Sequence, residues 1–498
     1  MRRSTFMLTC SVVLGIGLMF GGIPGLASEP DLEGLWYGYG GAQGLGNGTI
    51  EITFSDGSFE PQAHSTIPSL GLFDAVIPAT IEDSPEGTTV TIVVPGLLEL
   101  SGLVDGDTII GELTVVYGGE SYSGDWFAGR YTGEHVFPGG SPPTECPGLP
   151  PAYCGGTADH CSELMPFLPE TGVGYINYPL NGEAWDDQYR SFLRRDLIQL
   201  VQYAAAKVDC VTAGWDYGNL EPIGLGDMSE ADGSIPGTST GSPGHPPGTH
   251  TDGKDVDIAY FQLYAPDNHL RSVGVHYSGP FQDASHLLGP PHALDVWRTA
   301  LFVAYLSEHP RVRVIGVDGK IGSILEDAFD TLVSYSWIEY ELRQSITLIY
   351  EEEDMGWGFF LFHHHHMHIS TSPAVDVVSV ADVKPNTLDR GSTDGWVTVH
   401  IELDEGLEAA HIDVESVALI FDGLTMLYAE PASAEIADYN QNGILDLTVK
   451  VDRQAVTESI SLGTVEVTIV GRVDEVFFQE TDTIRVMEGM HNDAFENR

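Results

Sequence analysis

Basic residues are scarce in this chain. Only 21 Lys and Arg stand against 73 Asp and Glu in 498 residues, a formal net charge of −52. A surface so acidic repels phosphate backbones and anionic lipid headgroups, which disfavours nucleic acid and anionic membranes as partners. Long apolar runs are missing too. Beyond the N-terminal run, no later segment is a long uncharged apolar stretch of the roughly 20 residues that a bilayer span needs. The mature chain is therefore expected not to cross a membrane. Cysteine is limited to five positions, and no internal repeat is visible.

The N-terminus itself reads as an export signal. Arg2 and Arg3 precede an apolar run from Met7 to Phe20, and small residues follow at Gly25-Leu26-Ala27. Residues 1–27 are the expected signal peptide, and the mature protein is expected to be secreted, either periplasmic or extracellular. Cleavage there removes two Arg and no acid, so the mature chain is more acidic still. Four cysteines remain: Cys146, Cys154, Cys161 and Cys210. In an oxidising compartment they predict two disulfides, with three pairings open.

A chain of this length divides into several domains. Residues 28–136 are all-β in pattern. Thr49–Phe54, Thr88–Val94 and Thr108–Val116 alternate or run as β-branched strands, with turn residues such as Asp105-Gly106 between strands. An antiparallel β-barrel or sandwich is expected there. Residues 137–160 are dense in Pro and Gly, as a linker would be. Residues 161–372 mix helix and strand. Helical spacing runs over Asp186–Val208, His292–Glu308 and Gly322–Val333; strand-like runs cover Val312–Val317 and Gly358–Ile369. Residues 373–490 return to strands at the spacing of an Ig-like β-sandwich, including Trp396–Leu403, Ser416–Phe421, Leu445–Val451 and Thr464–Val470. Residues 491–498 form a short tail.

The chemistry concentrates in the middle region. His250 and Asp257 bracket H-T-D-G-K-D-V-D, and His366-Met367-His368 follows more than a hundred residues later. Gly253 permits a tight turn, which can bring His250 and Asp257 to one point. Alternate residues of a strand share a face, so His366 and His368 can reach the same place. Zinc takes imidazole and carboxylate ligands, and three protein ligands leave a position open, which is the catalytic arrangement. One His of the pair can then bind metal while the other handles protons. Asp252, Asp255 and Asp257 could instead hold calcium, but the nearby imidazoles favour zinc. His245, in a Gly/Pro-rich loop, could also line the site, although a loop His in that setting reads first as solvated.

The pattern H-x-x-G-x-x-x-D with a distal H-x-H resembles the superfamily of lysostaphin-type peptidases, D-Ala-D-Ala metallopeptidases and the hedgehog domain. The run G-T-H-T-D-G-K-D-V-D-I and the stretch from Asp295 to Asp318 are similar to penicillin-insensitive murein endopeptidases. The resemblance covers roughly residues 170–372. It implies a central α+β zinc domain in which His250, Asp257 and His368 bind zinc. His366 would be the catalytic His beside the metal, with His363 a further active-site His. It also implies a metalloendopeptidase cleaving peptidoglycan peptides between D-alanine and diaminopimelate. The hedgehog relatives imply an alternative, a non-catalytic zinc-dependent binding or adhesion protein at the cell surface.

A second metal motif lies further on. Asp438, Asn440, Asn442, Ile444 and Asp446 match the first nine positions of a calcium loop, with Gly443 at the sharp turn. The twelfth position is Val449 rather than Glu, and a strand follows instead of a helix. A structural calcium loop in a β-sandwich is expected, as against a plain acidic turn.

Overall fold

The computed structural model describes residues 32–42, 46–54, 62–67, 72–84, 87–131, 133, 135–177, 191–274, 287, 290–353, 355–356, 358–360, 363–392 and 395–488. The expected signal peptide and C-terminal tail lie outside the described residues. The architecture is β-rich, with several sheets organised around three large hydrophobic clusters.

The first cluster lies in a closed antiparallel barrel of eight strands in sequence order, from Gly34–Ala42 to Glu120–Tyr131. The first and last strands pair from Leu35↔Tyr131 to Ala42↔Gly124, which removes both edges. Trp36, Ile52, Ile92, Leu100 and Val115 fill the interior. Asp105-Gly106 makes the expected hairpin turn, with Gly106 at φ +57°. At Gly38 a Cβ would lie 1.8 Å from the Phe127 carbonyl oxygen, so only glycine lets neighbouring strands coil this tightly.

The middle region has a six-stranded mixed sheet. Its order is Thr171–Gly172, Tyr175–Asn177, Ile223–Leu225, Asp255–Ala259, His366–Thr371, Val312–Gly316. The helices Arg195–Thr212, Val296–Ser307 and Gly319–Ser334 share its core. Asp295 and Asp318 cap the last two, accepting hydrogen bonds from the Arg298 and Lys320 backbone N–H groups.

Two expectations need correcting here. The helix expected from Asp186 starts only at Arg195; residues 186–190 lie outside the described residues. Phe192–Arg194 instead pairs as a strand with Leu164–Pro166, and that pairing claims its backbone groups. The strand expected from Gly358 starts only at His366. The buried Glu351 carboxylate accepts N–H bonds from Met355, Phe359 and Phe360, which holds that backbone in turns.

The third cluster is enclosed by two sheets. One runs Ala374–Val375, Val476–Met487, Gly463–Val473, Ile412–Phe421, Thr425–Tyr428; the other runs Val378–Lys384, Trp396–Leu403, Asp446–Asp452, Glu435–Ala437. Both contribute to one core containing Val399, Leu419, Val449 and Ile469.

The Pro/Gly-rich segment is irregular but packed. Phe137 sits among Trp215, Trp297, Tyr335 and Trp337. The Trp297 and Trp337 indole N–H groups donate to the carbonyls of Val136 and Gly140. Cys146 pairs with Cys210 and Cys154 with Cys161, which selects one of the three open pairings. The Gln479 amide donates to the carbonyls of Cys154 and Gly156, tying the segment to the C-terminal sheets. Among the described residues no helix is long and apolar enough to cross a membrane.

The barrel's first strand docks on the middle region. Tyr37 packs with Ala293 and Tyr264, and the Tyr39 hydroxyl donates to Gln262 Oε1 over 2.6 Å in a buried setting. Tyr39→Phe strips Gln262 Oε1 of that donor. It is expected to cost about 1–3 kcal/mol, read as a lower melting midpoint in calorimetry with unchanged far-ultraviolet circular dichroism.

Candidate metal centre

The site begins with a register. Asp255–Ala259 runs antiparallel to His366–Thr371, and Asp257 faces His368 while Ala259 faces His366. Asp257 therefore lies within the strand, rather than at its entrance. With a period of two, His366 and His368 share a face, and Asp257 stands directly across from His368.

The turn before this strand supplies His250. His250, Asp252 and Gly253 all adopt left-handed backbone, at φ +50°, +56° and +65°. Two of these are not glycine, so the surroundings must hold them there. The Asp252 N–H donates to the Gly233 carbonyl, and Arg194 donates through Nε to the Asp252 carbonyl and through its backbone N–H to Gly253. A Cβ on Gly253 would lie 2.7 Å from the Arg194 nitrogen, so glycine is required at that point. Further upstream, the buried Glu230 carboxylate accepts from the Ser239 N–H and from the Ser234 and Ser239 hydroxyls. That fixes the Gly/Pro-rich loop that delivers His245.

Asp257 is the hub. Its Oδ1 lies 3.0 Å from His368 Nδ1 and 3.3 Å from His250 Nε2. Its Oδ2 lies 3.6 Å from His366 Nε2 and 4.0 Å from His245 Nε2. His245 also contacts Asp227 Oδ2 at 2.8 Å and lies against His250 at a tilt, with ring centroids 3.9 Å apart. His363 flanks the group, 5.0 Å from the His366 ring and 6.1 Å from the His368 ring, while its carbonyl accepts from the Tyr260 hydroxyl.

These contacts set the charges. Burial alone would raise the Asp257 carboxyl, but the facing His366, His250 and His368 hold it well below the usual range. Burial drives His366 well below the usual imidazole value despite Asp257, and takes His363 down to about 4. Burial also opposes protonation of His368, yet Asp255 and Asp257 together lift it to about 9. His245 is raised, because contact with Asp227 and attraction to Asp257 outweigh its burial.

The donor set fits a metal ion. His250 is 0% exposed, and neither of its ring nitrogens makes a hydrogen bond of good geometry. Leaving such a group buried costs about 1–3 kcal/mol unless something else binds it. His245, His250 and Asp257 offer ligand atoms all within 4.8 Å of one another. Imidazole nitrogen and carboxylate oxygen suit zinc among other divalent transition ions.

All five residues read from the sequence for this site, His250, Asp257, His363, His366 and His368, are brought together. His245 is also part of it, although its loop position read as solvated. Nothing periodic marks that loop; its one signal is the spacing of His245 and His250, five residues apart. Asp255 and Asp227 carried no signal as partners of His368 and His245. His364 is buried against His365, with ring centroids 4.6 Å apart. Asp438, Asn440, Asn442, Ile444 and Asp446 form one turn in the C-terminal sandwich, far along the chain from this group. Comparison of the chain with protein-family models, curated proteins and solved structures finds no match.

Asp255 is buried with both oxygens lacking a hydrogen bond, and Oδ1 lies 3.6 Å from His368 Nε2. His368 thus turns Nδ1 to the centre and Nε2 to a second carboxylate, the arrangement that orients metal-binding imidazoles. Asp255→Asn is expected to lower the affinity for a divalent transition-metal ion about 10–100-fold, measured by competition with a chromophoric chelator.

Proposed function

We propose that this chain is an exported zinc metalloendopeptidase acting on peptide cross-links of peptidoglycan. The observation that carries the reading is the Asp257 hub, with His250 and His368 at one carboxylate oxygen and His366 at the other. In this reading the middle region is an α+β domain of the D-Ala-D-Ala-peptidase and hedgehog kind, and the C-terminal sandwich is Ig-like. His250, Asp257 and His368 hold the metal. Zinc, when bound, would supply a Lewis acid and a water acidified to a pKa of about 7.

The remaining work falls to the chain. His366 accepts and returns a proton at Nε2, the nitrogen that faces Asp257. His363 flanks His366 and can steady charge on the substrate carbonyl. Asp255 keeps His368 in the orientation that presents Nδ1. The acidic surface and the export signal fit a protein working outside the cytoplasm, and the two disulfides fit an oxidising compartment. The murein substrate rests on the resemblance of the segments 248–258 and 295–318.

A second reading has its own observation. His245 stands within the tightest donor group. A fourth protein ligand would close the zinc coordination, as in structural sites. The chain would then be a non-catalytic zinc-dependent binding or adhesion protein.

Digestion of defined muropeptides, with products identified by mass spectrometry, separates the two. The peptidase reading expects cleavage by zinc-loaded protein and a fall of about 10²–10⁴-fold in His366→Ala, with zinc content unchanged. Intact cross-links in both samples would sink it. Zinc retained after joint replacement of His250 and His368 by Ala would undo the ligand assignment. Zinc lost in His245→Ala alone would favour the closed site.

A further inference from the structure

The nitrogen that His245 turns towards the hub is already taken. Its Nε2 lies 4.0 Å from Asp257 Oδ2 but only 2.8 Å from Asp227 Oδ2. A carboxylate can only accept hydrogen bonds, so Nε2 carries the proton in this contact. An imidazole nitrogen that carries a proton has no lone pair for a metal ion. His250 and His368 differ. Neither ring nitrogen of His250 makes a hydrogen bond of good geometry, and His368 turns Nδ1 to Asp257 itself. His245 is instead held by an acid outside the proposed ligand set.

Asp227 is built onto the strand of the hub. Ile223–Leu225 meets Asp255–Ala259 at Leu225↔Ile258. Just beyond, the Gly226 N–H donates to the Asp257 carbonyl and the Asp257 N–H donates to the Asp227 carbonyl. The backbones pass so closely that a Cβ on Gly226 would lie 3.1 Å from the Asp257 carbonyl oxygen and 2.8 Å from Leu270 Cδ2. Asp227 is thus tied to the backbone of Asp257 itself. His245 is placed as firmly. Glu230 gathers its loop, the Gly244 N–H donates to the Pro236 carbonyl, and the ring lies against His250.

We propose that Asp227 is a latch that holds His245 off the metal and so keeps the fourth coordination position open. The proposal rests on the reading in which His250, Asp257 and His368 bind the ion. With the latch engaged, three protein ligands leave a place for water, which is the catalytic arrangement. With His245 released, a fourth protein ligand closes the site. Asp227 is a positioning residue, because it acts through His245. The sign of one measurement separates a latch from an ordinary supporting carboxylate. A carboxylate that orients a ligating imidazole strengthens metal binding, and its loss weakens binding about 10–100-fold. A latch competes with the metal, so its loss tightens binding.

The test loads the full chain with cobalt(II), whose visible absorption reports the number and kind of its ligands. Azide is then added, since it enters an open coordination position. The wild-type spectrum should shift with azide. Asp227→Ala should bind cobalt about tenfold more tightly or better, the scale of one charge-assisted hydrogen bond removed from the competition. Its spectrum should differ from wild type and no longer respond to azide. Adding His245→Ala to that variant should restore the response. Asp227→Asn, whose amide oxygen still accepts from Nε2, should keep the wild-type response. Circular dichroism checks folding. If Asp227→Ala does not fold, His245→Ala alone decides, and it should keep both the cobalt and the azide response. Weaker cobalt binding or an unchanged azide response in folded Asp227→Ala would overturn the latch. So would cobalt lost in His245→Ala, or wild-type cobalt that ignores azide. No cobalt binding by the wild-type chain would overturn the latch and the ligand assignment beneath it together. An azide response without cleavage of muropeptides would support the latch and count against the peptidase reading alone.

Discussion

The register between Asp255–Ala259 and His366–Thr371 is the constraint on which the candidate centre depends. Side chains alternate across a strand, so a slip by one residue would turn His366 and His368 away from Asp257. The register is held on both sides. Val256, Ile258, Met367 and Ile369 are fully buried in the core. Val312–Gly316 pairs along the outer side of the His strand. Apolar packing on one face thus fixes where the polar face presents its imidazoles. The placement of the candidate ligands is a consequence of ordinary sheet packing.

The rest of the centre is brought by loops whose shape is set by polar anchors. Glu230 gathers the Gly/Pro-rich loop, Arg194 holds the left-handed turn at 250–253, and Glu351 folds the backbone before the His run. Each anchor is a group that bonds backbone atoms, with Glu230 also taking the Ser234 and Ser239 hydroxyls. Together they convert three irregular segments into fixed supports. A site built this way puts its donors on a rigid strand pair and its approach on shaped loops.

Much of this was legible in the sequence, for physical reasons. Strands such as Trp396–Leu403 and Thr108–Tyr117 follow from alternation, and a His-x-His in a strand must share a face. The Asp257–His368 pairing was legible only as a convergence, because register is a property of two strands and not of either one. His245 was misjudged because a loop position carries no periodic signal. Its burial depends on Asp227 and on the His250 ring beside it, neither of which the loop sequence marks as a neighbour. The helix start was misplaced because a short strand pairing overrode helical spacing at Phe192–Arg194.

The packing of Phe137 has a mechanical side. Its ring is boxed by three tryptophans and a tyrosine, and a few residues on Cys146 is bonded to the end of the Arg195–Thr212 helix. The segment after the barrel is therefore fastened at two points within ten residues. A pull on the barrel would pass along this short strap into the helical core, with little slack to take it up. If the barrel grips something large, the load falls on the helices that back the central sheet.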